Sequence, residues 1–328
     1  MIRIGILGAG AMGATHAAAW AGITEAEVVG VFSRDAARAA AVAAMGKTCP
    51  STDAARLIGR PDIDAIDVCL PTRVHPEFVI AALRAGKHVF CETPLALELG
   101  DAREMQAAAR RADRLLQVGL LMRSVAACEH LKRETEAGRH GRLFSVTTWR
   151  LGSYLRREGP DRKAHYGDPS TELMTFDFDL IHWLMGRPTT VSASAVQTAH
   201  GPGEISAVLQ YEDGRHATVT ASGLMPPGFA FTAGFRALFE RAVFEQSTVF
   251  GSAGPPTSTF TLVEGREPTR PVPVHGRNPY QVQLQRFVDC IAGRADRGLL
   301  DADQAIEALV FSKTTQISLA ERRPVEID

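Results

Sequence analysis

The first thirteen residues place an apolar run directly before a glycine-rich turn. The run Ile2–Leu7 is typical of a buried strand and leads straight into Gly8–Gly13, which has the pattern GxGxxG. In this pattern the first glycine permits a tight turn, the second lets the backbone approach a pyrophosphate, and the third lets the next helix pack on the strand. The free N–H groups and the dipole of that helix then face the phosphates. A helix at 11–21 and a second strand at 27–32 complete the pattern, so we expect dinucleotide binding. The expected contacts are Gly8, Gly10, Ala11, Met12 and Gly13.

The size and charge of the chain limit its domain count and its partners. At 328 residues and 35.4 kDa it exceeds the usual span of one hydrophobic core, so two domains are expected. A net charge of −1 gives no bulk attraction to nucleic acid or to an anionic membrane. No apolar run in the sequence reaches the length of about 18 residues that crosses a bilayer. We therefore expect a small-molecule substrate, and neither nucleic acid nor membrane as a partner.

The cysteines indicate a reducing compartment. They are five in number and lack the CxxC spacing of zinc sites. Cys69 and Cys91 fall within predicted buried strands. We expect reduced core thiols of a cytoplasmic protein, with neither a disulfide framework nor a metal site. The chain enters a core strand directly after Met1, which leaves no room for a signal peptide and favours the same location.

Strand and helix patterns alternate up to about residue 120. Strands are predicted at 2–7, 27–32, 65–70, 87–91 and 115–118, and helices at 11–21, 35–46, 75–86 and 99–113. The strands are nearly continuous in apolar residues, as in a parallel sheet that is covered on both faces. Residues 1–122 are therefore predicted to form an α/β domain, a doubly wound Rossmann sheet that binds the dinucleotide.

Strand patterns dominate the remainder of the chain. After a helix near 124–137, strands are predicted at 142–152, 190–198, 204–211, 215–222, 230–238, 242–247 and 259–263, and helices at 279–292 and 301–321. Asp213-Gly214 is a hairpin signal. Residues 123–328 are predicted to form an α+β domain with a large, mostly antiparallel sheet, whose final helices can pack back on the first domain. Helices would cover one face of this sheet, and a homodimer or homotetramer would cover the open one.

Several motifs resemble the Gfo/Idh/MocA family, named after glucose–fructose oxidoreductase, inositol dehydrogenase and rhizopine catabolism. They are Leu70-Pro71-Thr72 with His75, the run 82–89, Glu92-Thr93-Pro94, Gln117-Val118-Gly119 with Arg123, and the run 177–186. The resemblance implies an NAD(P)(H)-dependent oxidoreductase that moves a hydride between nicotinamide and a sugar, cyclitol or related carbonyl compound. It implies further cofactor contacts from Leu70, Pro71, Thr72, His75, Glu92, Thr93 and Arg123. It also implies substrate contacts from Arg123, Arg156 and Asp179.

The chain departs from the family pattern where proton transfer is expected. Members usually carry a catalytic lysine at the position of Thr93, and an aspartate and a histidine at the positions of Glu172 and Phe176. Oxidation of a carbinol needs a group that accepts the hydroxyl proton, and neither threonine nor phenylalanine titrates. Glu172 is then the best-motivated polar group, with Tyr166 and His165 as the nearest titratable replacements.

Three functions agree with this departure. The chain is a reductase of an activated acceptor, or a cofactor-binding sensor without redox turnover, or a redox-neutral enzyme that retains its cofactor. The first needs no strong base, because water or Tyr166 can protonate the product. An assay of nicotinamide oxidation and reduction separates them.

Ser33-Arg34 bears on the choice of cofactor. It ends the second strand about twenty residues after Gly13, where an acidic residue would bind the ribose 2′-OH of NAD. An arginine there favours a 2′-phosphate instead, so NADP(H) is favoured while NAD(H) stays open. Asp35 lies beyond the strand end and is expected to cap the following helix.

Overall fold

The computed structural model of the chain describes residues 1–153, 155, 168–199, 201–251 and 254–327. The chain divides into two compact units. Unit 1 comprises Met1–Ser124 and Gly276–Ile306, and unit 2 comprises Val125–His275 and Glu307–Asp328. The expected boundary near residue 122 lies close to the end of the first segment of unit 1. Unit 1 also includes the later segment 276–306.

Unit 1 contains a parallel sheet that alternates with helices. Up to Ser124 its elements are β1 (Ile2–Leu7), α1 (Ala11–Trp20), β2 (Ala26–Phe32), α2 (Ala36–Met45), β3 (Pro50–Ser51), α3 (Ala54–Ile58), β4 (Ala65–Val68), α4 (His75–Arg84), β5 (His88–Cys91), α5 (Leu99–Ala112) and β6 (Leu116–Val118). The strands pair in the order β3-β2-β1-β4-β5-β6, and all pairings are parallel. The strand order reverses between β1 and β4, and in such sheets the ligand binds beyond the carboxyl ends of the strands at that point. The predicted doubly wound sheet is confirmed.

The apolar strands account for the core of unit 1. Ile4, Ile6, Ile66 and Val68 on the central strands are fully buried. The predicted strands and helices are present, with ends that differ by one or two residues, while β3 and α3 were not predicted.

Unit 2 is built on a second, larger sheet. The remaining elements are α6 (Ala126–Ala137), β7 (Leu143–Leu151), α7 (Pro169–Glu172), α8 (Thr175–Met185), β8 (Thr190–Thr198), β9 (Gly201–Gln210), β10 (His216–Ser222), β11 (Phe231–Phe239), β12 (Ala242–Phe250), β13 (Thr257–Glu264), β14 (Arg270–Pro271), α9 (Pro279–Ile291), α10 (Ala302–Glu321) and β15 (Val325–Glu326). Of these, α9 and the first residues of α10 belong to unit 1. The strand order is β14-β13-β12-β11-β7-β10-β9-β8-β15.

The second sheet is antiparallel except where β7 and β10 pair in parallel. The predicted hairpin joins β9 to β10, with the N–H of Tyr211 donating to the carbonyl of Arg215 at 3.0 Å and Gly214 at φ +82°. The expectation of a large, mostly antiparallel sheet is confirmed.

The two faces of this sheet differ. On β7, Val146, Thr148 and Arg150 are buried, whereas Thr147 and Trp149 on the other face are exposed or half-exposed. Helix α8 contacts β7 and β10. The indole of Trp149 lies over Gly234 of β11, where a Cβ would lie 2.6 Å from the ring. This second face, which we call the open face, carries small, hydroxyl and apolar side chains and the exposed ion pair of Arg236 with Glu245.

Within the described part of the chain, no helix combines the length and the apolar character needed to cross a bilayer.

Candidate functional site

The glycine-rich turn after β1 has the geometry of a phosphate cradle. Gly8 has φ +117°, and a side chain there would collide with the carbonyl of Cys69. A side chain at Gly13 would collide with the carbonyl of Gly8. At Gly10, by contrast, no described atom lies within 4 Å of a Cβ, and α1 begins there without a side-chain cap. Two glycines are therefore required by packing, while the third leaves space at the positive end of α1 for an anion.

The end of β2 carries the cation Arg34, and the neighbouring carboxylate of Asp35 caps the next helix. Asp35 accepts hydrogen bonds from the N–H groups of Ala37 and Arg38 at 2.9 and 3.1 Å, which confirms it as the cap of α2. Ser33 Oγ accepts from the N–H of Asp35 at 3.2 Å. Arg34 is exposed beside them. A ribose at this strand end would lie beside the exposed guanidinium of Arg34 and a carboxylate that caps α2.

His75 joins the loops that follow β4 and β5. It is 1% exposed, and its Nε2 lies 2.7 Å from the carbonyl of Leu70. Its Nδ1 lies 3.1 Å from the carbonyl of Pro94 and 3.4 Å from Cys91 Sγ. Burial lowers the pKa of His75. Either ring nitrogen can therefore donate to a backbone carbonyl, Nε2 to that of Leu70 after β4 or Nδ1 to that of Pro94 after β5. The buried ring lies between the two loops.

The residues predicted around these two loops lie at the carboxyl edge of the parallel sheet. Leu70, Pro71 and Thr72 follow β4, and Thr72 is buried. Thr93 is half-exposed and precedes a cis bond to Pro94. These positions line the edge at which a dinucleotide is expected.

Glu92, the first residue after β5, contacts a buried histidine that sequence reasoning missed. His16 of α1 is fully buried, and its Nε2 lies 2.7 Å from Glu92 Oε1. His16 Nε2 and Glu92 Oε1 are close enough for an ion pair, but their geometry does not meet the criteria for a hydrogen bond. On its other side, His16 Nδ1 lies 2.9 Å from Asp67 Oδ2 in β4. A histidine in an alanine-rich helix and an aspartate inside an apolar strand were the available sequence signals.

The charge on His16 is fixed by these carboxylates. Burial by itself lowers the pKa of His16, but the charges of Asp67 and Glu92, with the hydrogen bond to Asp67, raise it well above its ordinary value. His75 is buried to the same degree without an adjacent carboxylate in hydrogen-bond contact, and its pKa moves in the opposite direction. Two buried histidines of unit 1 therefore differ in charge near neutral pH.

Arg123, expected to contact cofactor and substrate, is 2% exposed in unit 1. It donates from Nη1 to the carbonyl of Leu299 at 2.9 Å and from Nη2 to Gln304 Oε1 at 3.0 Å. These bonds tie the segment after β6 to the returning segment 276–306. They give Arg123 a structural role beside any contact with ligands.

In unit 2, two positions stand out along 169–181. All residues of this stretch are buried except Glu172 and Phe176, which are half-exposed. Asp168 caps α7 by accepting from the N–H of Ser170 at 2.8 Å. Gln316 of α10 donates to the hydroxyl groups of Ser170 and Thr171 at 3.0 Å each. The two residues before Glu172 are therefore held by Asp168 and Gln316.

Phe176 lies next to a buried ion pair. Arg150 donates from Nε to Asp177 Oδ2 at 2.8 Å and from Nη2 to Oδ1 at 3.2 Å. The guanidinium carbon lies 4.7 Å from the centroid of the Phe176 ring, within cation–π distance. Burial raises the pKa of Asp177, and Arg150 opposes that shift. Asp179, predicted to contact substrate, is 1% exposed.

Three predicted site residues, Arg156, His165 and Tyr166, lie outside the described residues.

Comparisons with known proteins agree with this geometry. Residues 2–120 match a family described as an oxidoreductase family with an NAD-binding Rossmann fold, and residues 128–254 match the GFO/IDH/MocA C-terminal domain. The chain is 31% identical over 307 residues to 1,5-anhydro-D-fructose reductase of Ensifer adhaerens, covering 89% of each chain. It is 27% identical to inositol 2-dehydrogenase of Rhizobium meliloti (strain 1021), covering 99% of each.

Solved structures share the fold. The WlbA dehydrogenase of Bordetella pertussis, in complex with NADH and UDP-GlcNAcA, superposes with a TM-score of 0.82 at 20% identity, over 100% of this chain and 99% of that one. UDP-N-acetylglucosamine 3-dehydrogenase GnnA of Acidithiobacillus ferrooxidans gives 0.82 at 22% identity, over 98% of each. The two matched domains and the curated relatives together identify the chain as a member of the Gfo/Idh/MocA family of oxidoreductases, which transfer hydride with a nicotinamide cofactor.

Proposed function

We propose that this chain is an NADP(H)-preferring reductase of a carbonyl group on a small polyhydroxylated compound, of the sugar or cyclitol class. Two curated relatives are named for a sugar-derived ketone and for a cyclitol. When bound, the nicotinamide supplies or accepts the hydride. The chain's own residues must then hold the cofactor, orient the substrate and handle the proton.

The observation that supports the cofactor preference is the position of Arg34 beside Asp35, the residue that caps α2. Arg34 is exposed at the end of β2, where the 2′ position of the adenosine ribose is expected. The Asp35 carboxylate caps α2 by accepting two backbone N–H groups through Oδ1, and its Oδ2 lies 3.5 Å from Arg38 Nε. A 2′-phosphate would gain a charge-assisted hydrogen bond from Arg34.

The half-exposed pair Glu172 and Phe176 supports the substrate side of the proposal. These are the positions at which the family resemblance places its aspartate and histidine, and both reach the surface of an otherwise buried stretch. Glu172 can accept hydrogen bonds from a substrate hydroxyl and fix its orientation. Phe176 offers an aromatic face without a proton acceptor. This combination suits reduction, in which the product oxygen gains a proton instead of losing one.

The discriminating experiment combines binding and turnover. Purified protein is titrated with NADPH and NADH, and nicotinamide absorbance is then followed across a panel of ketoses, inosose-type cyclitols and their alcohols. The proposal requires tighter binding of NADPH and faster turnover of the carbonyl compounds. Cofactor binding without any turnover would favour the sensor, and tightly retained cofactor with substrate conversion but no net absorbance change would favour the redox-neutral enzyme.

We further propose that the protein assembles through the open face of the second sheet and works in the cytoplasm. Apolar groups such as the half-exposed Trp149 and the exposed Leu238 on a broad sheet face favour a homodimer or homotetramer. The five cysteines are free, which suits a reducing compartment.

A further inference from the structure

Unit 1 buries three ionisable groups side by side. His16 and Asp67 have fully buried side chains, and the side chain of Glu92 is 11% exposed. His16 lies between the two carboxylates, at 2.9 Å from Asp67 Oδ2 and 2.7 Å from Glu92 Oε1. Such groups are rarely buried without a reason, because desolvation of charge is costly unless pairing compensates it.

Residues around the cluster donate hydrogen bonds to Asp67 and surround the ring of His16. Its Oδ2 accepts from the indole Nε1 of Trp20 at 2.7 Å, and the Cys69 thiol lies 3.5 Å from Oδ1. On the faces of the His16 ring lie Phe90 and Tyr280, with centroids at 5.9 and 5.8 Å. Asp67 therefore has donors for both oxygens, and its contact with His16 Nδ1 favours an imidazolium at His16.

These residue types also suggest a metal site, because ligand atoms of His16, Asp67 and Cys69 lie within 4.8 Å of one another. Burial raises the pKa of the Cys69 thiol, so without a metal ion this sulfur stays protonated near neutral pH. Asp67 already accepts from Trp20 and His16. Hydrogen bonding thus accounts for each group more simply than metal coordination does.

The cluster reaches the surface only through Glu92 among its three members. Glu92 follows β5, at the carboxyl edge of the sheet. The glycine fingerprint lies after β1 and the ribose-binding end after β2, so the adenosine half of a dinucleotide lies on the β1–β3 side. Its other nucleotide, which carries the nicotinamide, then lies on the β4–β6 side. Gly119 after β6 makes room there, since a Cβ at Gly119 would lie 2.8 Å from Glu92 Oε1.

We infer that Asp67, His16 and Glu92 act as one charge-fixing triad: Asp67 holds His16 as an imidazolium, and His16 holds Glu92 as an immobile, ionised carboxylate at the nicotinamide end of the sheet. His16 and Asp67 are positioning residues that act through Glu92. The inference rests on the proposed binding of a nicotinamide cofactor. A fixed negative charge at this place stabilises the positively charged oxidised nicotinamide over the neutral reduced ring.

The chemical consequence is a bias in cofactor affinity. If His16 is replaced by a neutral residue, two carboxylates share one buried space, and one of them must take up a proton. His16→Gln and Glu92→Gln should therefore both lower the ratio of NADP⁺ affinity to NADPH affinity, by about tenfold for a single charge near the ring. Asp67→Asn should lower it less, because the Glu92 carboxylate still holds His16.

A matched control comes from unit 2. His140 is 6% exposed and, like His16, lies between two carboxylates, with Nε2 3.0 Å from Glu134 Oε2 and Nδ1 3.0 Å from Glu264 Oε1. His140→Gln should cost stability without changing the ratio of cofactor affinities. A merely structural role for His16 predicts that His16→Gln behaves as His140→Gln does.

The experiment measures two quantities on the full chain. Fluorescence titration gives Kd for NADP⁺ and NADPH with wild type and the four variants. Nitrogen NMR of protein labelled with ¹⁵N-histidine, with His16→Gln for assignment, gives the protonation of His16 without cofactor. We expect both ring nitrogens of His16 to carry protons at pH 8, and the ratio of affinities to fall only in the triad variants.

Each outcome decides the question. A neutral His16 ring at pH 8 overturns the triad, whether or not cofactor binds. A charged ring with an unchanged affinity ratio in both His16→Gln and Glu92→Gln overturns its effect on the cofactor. If wild type binds neither form of the cofactor, the proposed function fails while the NMR result still tests the triad. If His16→Gln does not fold, the ratio of NADP⁺ to NADPH affinity is measured on Glu92→Gln alone.

Discussion

Gly119 faces the carboxylate of Glu92 so closely that a Cβ at residue 119 would lie 2.8 Å from Oε1. We predict that Gly119→Ala pushes this carboxylate away from His16. Overpacking of this kind costs about 1–3 kcal/mol of stability. A displaced group at the reaction centre lowers kcat/KM by about tenfold or more. Steady-state kinetics and urea unfolding measure the two effects.

Gly100 provides the control, because it lies in the first turn of α5 and has no described atom within 4 Å of a Cβ. Gly100→Ala should keep wild-type kinetics and stability within about 1 kcal/mol, with a small gain from helix propensity. Equal kinetics for the two alanine variants would show that the position of Glu92 does not matter.

Arg34 should determine the preference between cofactors. Loss of a charge-assisted contact to the 2′-phosphate costs about 1–3 kcal/mol, so Arg34→Ala should weaken NADPH by about tenfold or more and leave NADH nearly unchanged. Arg38→Ala, at a guanidinium that is 70% exposed and paired with Asp35, is the control. Fluorescence titration of wild type and the two variants with both cofactors gives the six dissociation constants. Tighter native binding of NADH, or equal losses for both cofactors, would contradict the prediction.

Glu172 is predicted to orient substrate or relay a proton. Glu172→Gln keeps the shape of the side chain and removes its charge, so kcat should fall by about 10²-fold while cofactor affinity stays intact. Glu136→Gln, at a 63% exposed carboxylate of the same unit, should behave as wild type. A wild-type rate for Glu172→Gln on the identified substrate would leave Glu172 with a structural role only and place the family's acidic position elsewhere.

The stability of the chain should depend on the protonation of His16. Burial lowers the pKa of His16, but the charges of Asp67 and Glu92, with the hydrogen bond to Asp67, raise it well above the ordinary 6.5. The folded pKa therefore exceeds the unfolded one, so this stabilisation is complete below pH 6.5 and is lost as the pH rises through the folded pKa. The difference in unfolding free energy between wild type and His16→Gln should shrink as the pH rises above that range. Urea unfolding at several pH values measures it, and a constant or growing difference would exclude a charged His16.

Assembly through the open face predicts a mass of at least twice 35.4 kDa by light scattering. Thr220 lies on that face in β10, half-exposed, with its hydroxyl 3.1 Å from that of Ser206. Thr220→Lys would bury a charge in the interface and should reduce the mass to that of one chain. Ala40→Lys, on the exposed surface of α2, should not. A wild-type monomer at micromolar concentration would refute assembly.

The elements with a strong local pattern were predictable, and the contacts between distant segments were not. Ile2–Leu7 is continuous in apolar residues, and its glycine turn has a fixed physical meaning, so β1 and α1 follow from sequence. The strands β3, β14 and β15 have two residues each, too few for any periodicity. The parallel pairing of β7 with β10 joins segments far apart in the chain, and no local signal specifies it.

The candidate site divides in the same way. Gly8, Gly13 and the capping role of Asp35 depend on neighbouring residues, and sequence reasoning identified them. The contact between His16 and Glu92 joins a helix near the start of the chain to a loop after β5, and only the fold brings them together. A polar residue inside an apolar element was the one local sign of it.

The late return of the chain to unit 1 constrains how this protein can evolve by recombination. Residues 276–306 place Tyr280 5.8 Å from His16 and Phe287 5.6 Å from Phe90, and Gln281 donates to the carbonyl of Gly22 at 2.7 Å. A gene fragment that encodes only Met1–Ser124 lacks these packing partners. The cofactor-binding unit is therefore encoded by two separate segments of the gene. Exchange of this half between homologous genes needs matched crossovers at both segments, which favours the divergence of the two halves together.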